Sequence, residues 1–296
     1  MHQSEIDFKM SAPMLLPNGN TVPAELINEW VAKLPQGKFI RNAHQYLQLH
    51  ITECGGTSFL VAFQRAFPDR NKPLTFQGEV DWFEEQAESY RHNLKWVHIH
   101  VKRNILHLLS ANTAVVSMVR DPVQKVMSSF YWQVKHRGQG LKWVLPDIEA
   151  GMPFEEWITT PSGRSNIQHG TFAAWVKVLT SPQARWETIG IDMSVEAALD
   201  AADRHCAFIG LTEAFDASVF TLAALIGLPA APMWEVHCSS SSSRRKENLG
   251  TETLWLLEEM LEDDIKVYNA LRQRFYDRYG PAVEYFNANV GTLKRS

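Results

Sequence analysis

An α/β fold built on a mainly parallel sheet is predicted by three observations. Short apolar runs recur at residues 46–51, 97–101, 114–119 and 207–211. Between them lie segments with apolar residues at helical spacing and recognisable start and stop signals. The run Ala114-Val115-Val116-Ser117-Met118-Val119 shows no alternation, as expected of a strand covered on both faces. Strands that alternate with helices define the class.

The chain has 296 residues, a length that allows one or two domains. No linker-like change of composition appears, so the expected division is an N-terminal arm and helix over 1–40 and a single α/β domain over 41–296. With 45% hydrophobic and 21% charged residues, the composition is that of a globular protein with a sizeable core. A net charge of −4 supplies no global basic field, which disfavours nucleic acid as a partner. Cys54, Cys206 and Cys238 lie far apart, and neither a disulfide framework nor a metal site is expected from them. No stretch is apolar enough to cross a membrane, and the N-terminus lacks a secretory pattern. The expectation is a cytoplasmic protein.

In order, residues 1–21 read as an irregular arm, and Pro23 opens a helix to about Leu34. A strand follows over Tyr46–Ile51, with Leu47, Leu49 and Ile51 on one face, and then a glycine turn. Phe59, Phe63 and Phe67 keep helical spacing until Pro68. Residues 69–78 read as a loop and 79–93 as helix. Lys95–Val101 is a strand that places His98 and His100 on one face. After the central strand, Asp121-Pro122 caps a helix whose buried stripe is Val123, Val126, Met127, Phe130 and Val134. Residues 141–193 carry few signals, apart from a helix over Thr171–Leu179. Ser194 caps a helix to about Arg204, Ala207–Leu211 is a buried strand and Phe215–Leu225 a helix. A serine-rich loop, His237–Asn248, precedes one long helix capped by Thr251, with Leu254, Leu257, Leu261, Ile265 and Tyr268 in period.

Two stretches carry chemistry. The first is His50-Ile51-Thr52-Glu53-Cys54-Gly55-Gly56-Thr57-Ser58, a strand end, a glycine turn and a helix start. Glycines admit a close backbone approach, and the first helical turn points free N–H groups at an anion. No lysine follows Gly56, so this is not a Walker A loop, and the dinucleotide fingerprint is absent as well. The second stretch is Arg120-Asp121-Pro122 through Ser128. Arg120 ends a buried strand, where open α/β sheets hold ligands, and a guanidinium with a nearby hydroxyl suits a phosphate.

Together the two stretches resemble the sulfotransferases that use 3′-phosphoadenosine 5′-phosphosulfate (PAPS), particularly their carbohydrate 2-O-sulfotransferase branch. That family carries His-Ile-Pro-Lys-Thr-Gly-Gly-Thr-Ser around the 5′-phosphosulfate and Arg-Asp-Pro-x-x-Arg-x-x-Ser-x-Tyr at the 3′-phosphate. Here Lys125 replaces the second arginine and Phe130 the tyrosine. Gly210-Leu211-Thr212-Glu213 and the Asp264 to Tyr268 spacing extend the likeness over about residues 45–275. The resemblance implies a three-layer α/β/α, P-loop-like fold around a mainly parallel sheet. It also implies PAPS as co-substrate without a metal, and transfer of a sulfuryl group to a hydroxyl of a saccharide or soluble metabolite.

By the same resemblance, Cys54, Gly55, Gly56, Thr57 and Ser58 would hold the 5′-phosphate, and Arg120 and Ser128 the 3′-phosphate. His100, or His98 beside it, would be the base, since an imidazole needs little tuning for that work. Arg244, Arg245 and Lys246 read either as a solvated basic run or as part of a loop covering the nucleotide. Glu53 stands where the family has lysine. Three arrangements are compatible with it: another cation takes the lysine's role, Glu53 turns away or meets the acceptor, or the nucleotide binds without turnover. The rival classes are therefore a nucleotide-binding pseudoenzyme and a divergent phosphoryl-transfer enzyme. Trp132, Trp143, Trp157 and Trp175 are candidates for stacking on sugars, although most of them are expected in the core.

Overall fold

The computed structural model describes residues 10–16, 19–34, 37–66, 75–78, 80–99, 104–180, 194–230 and 246–290. Strands β1 (Met14–Leu15) and β2 (Thr21–Val22) form an antiparallel pair, followed by helices α1 (Ala24–Ala32) and α2 (Gly37–Asn42). Then come β3 (Gln45–Leu49), α3 (Gly56–Ala66), β4 (Thr75–Gly78), α4 (Val80–Glu85), α5 (Glu88–Asn93), β5 (Trp96–Ile99) and β6 (Thr113–Val119). Helices α6 (Pro122–Lys135), α7 (Pro146–Glu149), α8 (Phe154–Trp157), α9 (Pro161–His169), α10 (Phe172–Thr180) and α11 (Val195–His205) lead to β7 (Cys206–Leu211). The chain ends with α12 (Phe215–Ile226), α13 (Thr251–Met260) and α14 (Glu262–Asn289).

The five strands from β3 to β7 form one parallel sheet in the order β4-β5-β3-β6-β7. Helices flank it, which establishes the α/β class. Strand β3 is central, and the chain leaves it toward β4 and β5 on one side and later fills β6 and β7 on the other. The carboxyl ends of β3 and β6 therefore bound a crevice where the winding reverses, the usual ligand position in such sheets.

Position in the sheet explains the burial of β3. All five of its residues are buried, including the polar Gln45 and Gln48, so it does not present one wet face. Gln45 Nε2 donates to the carbonyls of Arg91 and Leu94. Gln48 Oε1 accepts from Trp96 Nε1 at 3.0 Å while its amide donates to Gly56 O at 2.8 Å. Satisfied in this way, the buried amides cost little and lock the sheet to α3. Phe63 stacks on Trp96 with centroids 4.6 Å apart, holding α3 against β5.

Four expectations are corrected. The segment before α1 is not a loose arm throughout: Met14, Leu16 and Val22 are buried, and Leu15 N–H donates to Pro229 O at 2.9 Å. Residues 75–78 form the edge strand β4 rather than loop. The segment from 79 to 93 holds two short helices, α4 and α5, in place of one. The final helix is divided at Leu261, where φ −110° and ψ 13° end α13 before α14 begins, and Gly250 rather than Thr251 takes the cap position. A second apolar cluster joins α6, α7, α8, α9 and α13 around Phe130, Phe154, Trp157 and Leu257.

Candidate functional site

The loop after β3 is shaped by two residues in the left-handed region, Glu53 at φ 62° and Gly55 at φ 74°. Gly55 is suited to it; Glu53 adopts a conformation that costs a side-chain-bearing residue on the order of 1 kcal/mol. Helix α3 begins at Gly56, one residue earlier than the Thr57-Ser58 pair suggests. Only glycine fits there, because an added Cβ would lie 2.0 Å from His50 Cδ2. The first turn of α3 thus presents its amides at the crevice, with Thr57 exposed and Ser58 buried.

Two groups from beyond β6 converge on this loop. Arg120 Nη1 donates to the Glu53 carbonyl at 3.0 Å, and Ser128 Oγ donates to Glu53 Oε2 at 2.7 Å. The predicted pair is therefore brought together with the glycine loop, but through Glu53. Its carboxylate turns toward α6 and sits on the hydroxyl assigned to a 3′-phosphate. Thr212, just past β7, fastens the two loops by donating toward Cys54 O at 2.9 Å and Val119 O at 3.0 Å.

Other charges of the described residues gather around this point. Asp121 caps α6 through Gln124 N–H at 3.0 Å and receives Lys246 Nζ at 2.6 Å, a bond that raises the lysine above its ordinary range. Glu213 Oε1 accepts the Asp121 N–H at 2.8 Å. Burial raises the Tyr268 phenol, and its bond to Glu213 raises it further, so it stays neutral and donates. Lys125 and Asp264 are 7% and 8% exposed. Burial lifts the Asp264 carboxyl above the usual range, opposed by the Lys125 charge and by the Phe172 N–H it accepts at 2.8 Å.

Cys54, Arg120, Lys125, Asp264 and Tyr268 bound a small cavity of about 10 Å³. That is room for about one water molecule, so neither a phosphate nor a nucleotide fits there without movement of the surrounding side chains. Cys54 is buried, and desolvation pushes its thiol up to about 12. It contributes to the loop through its carbonyl rather than as a nucleophile.

The histidines divide. His98 lies on β5 at 1% exposure, and its ring sits 4.5 Å from that of His50. It is thus buried beside the His50 ring, which in turn packs against Gly56 at the start of α3. His100, Arg244 and Arg245 lie outside the described residues, as does the serine-rich stretch up to residue 245. Trp157 and Trp175 are buried, whereas Trp132 and Trp143 are exposed. Among the described residues no cluster of His, Cys, Asp and Glu is suited to a metal, and no helix is long and apolar enough to cross a membrane.

Two supporting residues escape a reading by motif: Gln48 and Ser117. Ser117 Oγ donates to Leu49 O at 2.9 Å and ties β6 to the end of β3. Their signal was a polar residue inside an apolar run. No protein-family model matches the chain, and no curated protein matches it.

Proposed function

We propose that the chain is a PAPS-dependent sulfotransferase whose donor lies across the crevice between β3 and β6. One observation carries this reading: Arg120 and Ser128, both from beyond β6, converge on the glycine loop after β3. An anion held there meets a guanidinium, a hydroxyl and the first-turn amides of α3 together. The strand order, with β3 central and opened first, supports a three-layer, P-loop-like architecture. Lys125 at the cleft adds a second cation beside Arg120.

In this reading the glycine loop with Thr57 and Ser58 holds the 5′-phosphate, and Arg120 and Ser128 hold the 3′-phosphate. His100 removes the proton of an acceptor hydroxyl on a small saccharide or soluble metabolite. The hydroxyl oxygen attacks sulfur in line, the bond from sulfur to the phosphate oxygen breaks, and 3′,5′-bisphosphoadenosine leaves with that electron pair. No metal takes part, and the expected setting is cytoplasmic.

Glu53 favours a second reading, a nucleotide-binding protein without turnover. Its carboxylate stands beside the phosphate position and supplies no positive charge to the leaving oxygen, a contribution worth several kcal/mol in comparable sites. Calorimetry separates the classes. The sulfotransferase and pseudoenzyme readings both expect 3′,5′-bisphosphoadenosine to bind in preference to ATP, and sulfuryl transfer from PAPS then divides them. Micromolar ATP binding with no affinity for the bisphosphate would replace both with a phosphoryl-transfer enzyme.

A further inference from the structure

The space between α1, α12 and α14 is not filled. A cavity of about 40 Å³ lies there, with Ile27, Val31 and Leu34 on the α1 side and Leu225 on α12 among its walls. The sequence explains the gap. Ala224 on α12 and Pro281 and Ala282 on α14 also line it, and their short side chains leave room beside α1. Each water needs about 10–15 Å³ of such space and takes about 30 Å³ as liquid, so the cavity holds about three waters or the bulk of about three aliphatic carbons.

A nearly buried polar group stands at this cavity. Tyr279 lines it, is 6% exposed, and makes no hydrogen bond among the described residues. Thr221, the other hydroxyl there, donates to Ala217 O at 2.7 Å. Burial pushes the Tyr279 phenol up to about 12, opposed by the Arg278 charge, so it is protonated and able to donate. Its ring is held between Phe208 and Phe275, with centroids 5.3 and 5.4 Å away. A buried hydroxyl is expected to find a partner, and the room for one is in the cavity.

Charge at the same place is positive. Arg278 also lines the cavity, and its Nη2 donates to Asp203 Oδ1 at 3.0 Å, while Arg274 Nη1 meets Asp203 Oδ2 at 2.9 Å. Two guanidiniums thus share one carboxylate, and Arg278 keeps further N–H groups to donate. Lys33, at the rim, is matched by Glu29.

We propose that this cavity is a binding site for a short-chain aliphatic carboxylate of about butyrate size. The carboxylate accepts from the Tyr279 hydroxyl and from the remaining N–H groups of Arg278, both of them charge-assisted bonds. The alkyl chain leaves water for the surfaces of Ile27, Val31 and Leu34. Tyr279 comes eleven residues after Tyr268, which bounds the crevice, so about 17 Å of α14 separates the two places. The site is distinct from the donor crevice and does not rest on the sulfotransferase reading.

The test is saturation-transfer NMR of the full chain with butyrate, and with acetate and butan-1-ol as controls for chain and charge. Saturable butyrate binding is expected, with a dissociation constant of about 1 mM or below. Acetate and butan-1-ol should bind about tenfold more weakly, and Tyr279→Phe and Arg278→Gln should each weaken butyrate about tenfold. Tyr279→Phe keeps the ring between its two neighbours and should melt with the parent. No saturable binding of butyrate would overturn the proposal, leaving water to satisfy Tyr279. Equal binding of acetate or butan-1-ol, or unchanged affinity in Tyr279→Phe, would overturn it as well. Where loss of the Asp203 pair unfolds Arg278→Gln, Tyr279→Phe and the two control ligands decide the matter.

Discussion

Replacing Glu53 with glutamine tests whether an anion occupies the crevice as drawn. Glutamine keeps an oxygen that can accept from Ser128 Oγ, a bond now 2.7 Å long, and removes the charge. A phosphate touching both Ser128 and Arg120 would have its centre about 5 Å from that carboxylate. At an effective dielectric of about 20, repulsion between two unit charges at this separation is about 3 kcal/mol. Glu53 is partly open to solvent, and screening reduces the figure to about 1.5 kcal/mol, or roughly tenfold in affinity. Titration calorimetry should therefore find that Glu53→Gln binds 3′,5′-bisphosphoadenosine about tenfold more tightly than the parent. The gain should shrink as salt is raised. Equal or weaker binding would show that no phosphate lies near Ser128, and the placement of the 3′-phosphate would be wrong.

Three further outcomes follow from the same geometry. Arg120→Ala should weaken bisphosphate binding at least tenfold, because a charge-assisted bond is lost, and unchanged affinity would move the phosphate elsewhere. Gly56→Ala should lower stability by about 2 kcal/mol or more in a denaturant melt, since the new methyl must displace the His50 ring. Burial pushes the Cys54 and Cys206 thiols up to about 12. The unfolded chain therefore loses these protons first, so their stabilisation is complete below about pH 8.5 and declines as pH rises toward 12. Denaturant midpoints should fall across that window, less so in Cys206→Ala, and mass mapping after alkylation at pH 8 should find both thiols unmodified in the native protein.

Much of the fold was legible because it is written along single elements. The unbroken apolar run of β6 marks a strand buried on both faces, and Asp121-Pro122 fixes the start of α6 by capping chemistry. Where the pattern failed, the cause lay in partners distant in sequence. Strand β4 (Thr75–Gly78) is only four residues long, too short for alternation to mark it, and it pairs along the parallel edge that β5 offers. The break at Leu261 was hidden because Leu254, Leu257, Leu261, Ile265 and Tyr268 keep one spacing across it. Periodicity reports which residues face a core, and a kink that preserves the facing leaves no trace in it.

The site shows the same division more sharply. That Lys125 and Ser128 share one side of α6, just after Arg120, follows from their spacing alone. That Ser128 spends its hydroxyl on Glu53 does not, since 75 residues separate them. The consequence is chemical. Lys246 is matched by Asp121, Lys125 faces Asp264, and Glu213 meets the Asp121 N–H and Tyr268, which among the described residues leaves Arg120 and Glu53 as the charges facing the loop. Arg120 spends one bond on the carbonyl of the residue whose carboxylate would oppose an incoming anion. An anion that takes Ser128 must therefore displace Glu53, and one that takes the Arg120 fork loosens the left-handed turn that Glu53 holds. On the proposed reading, anion binding and loop conformation are one equilibrium, and the strained backbone at Glu53 would lower the cost of shifting it.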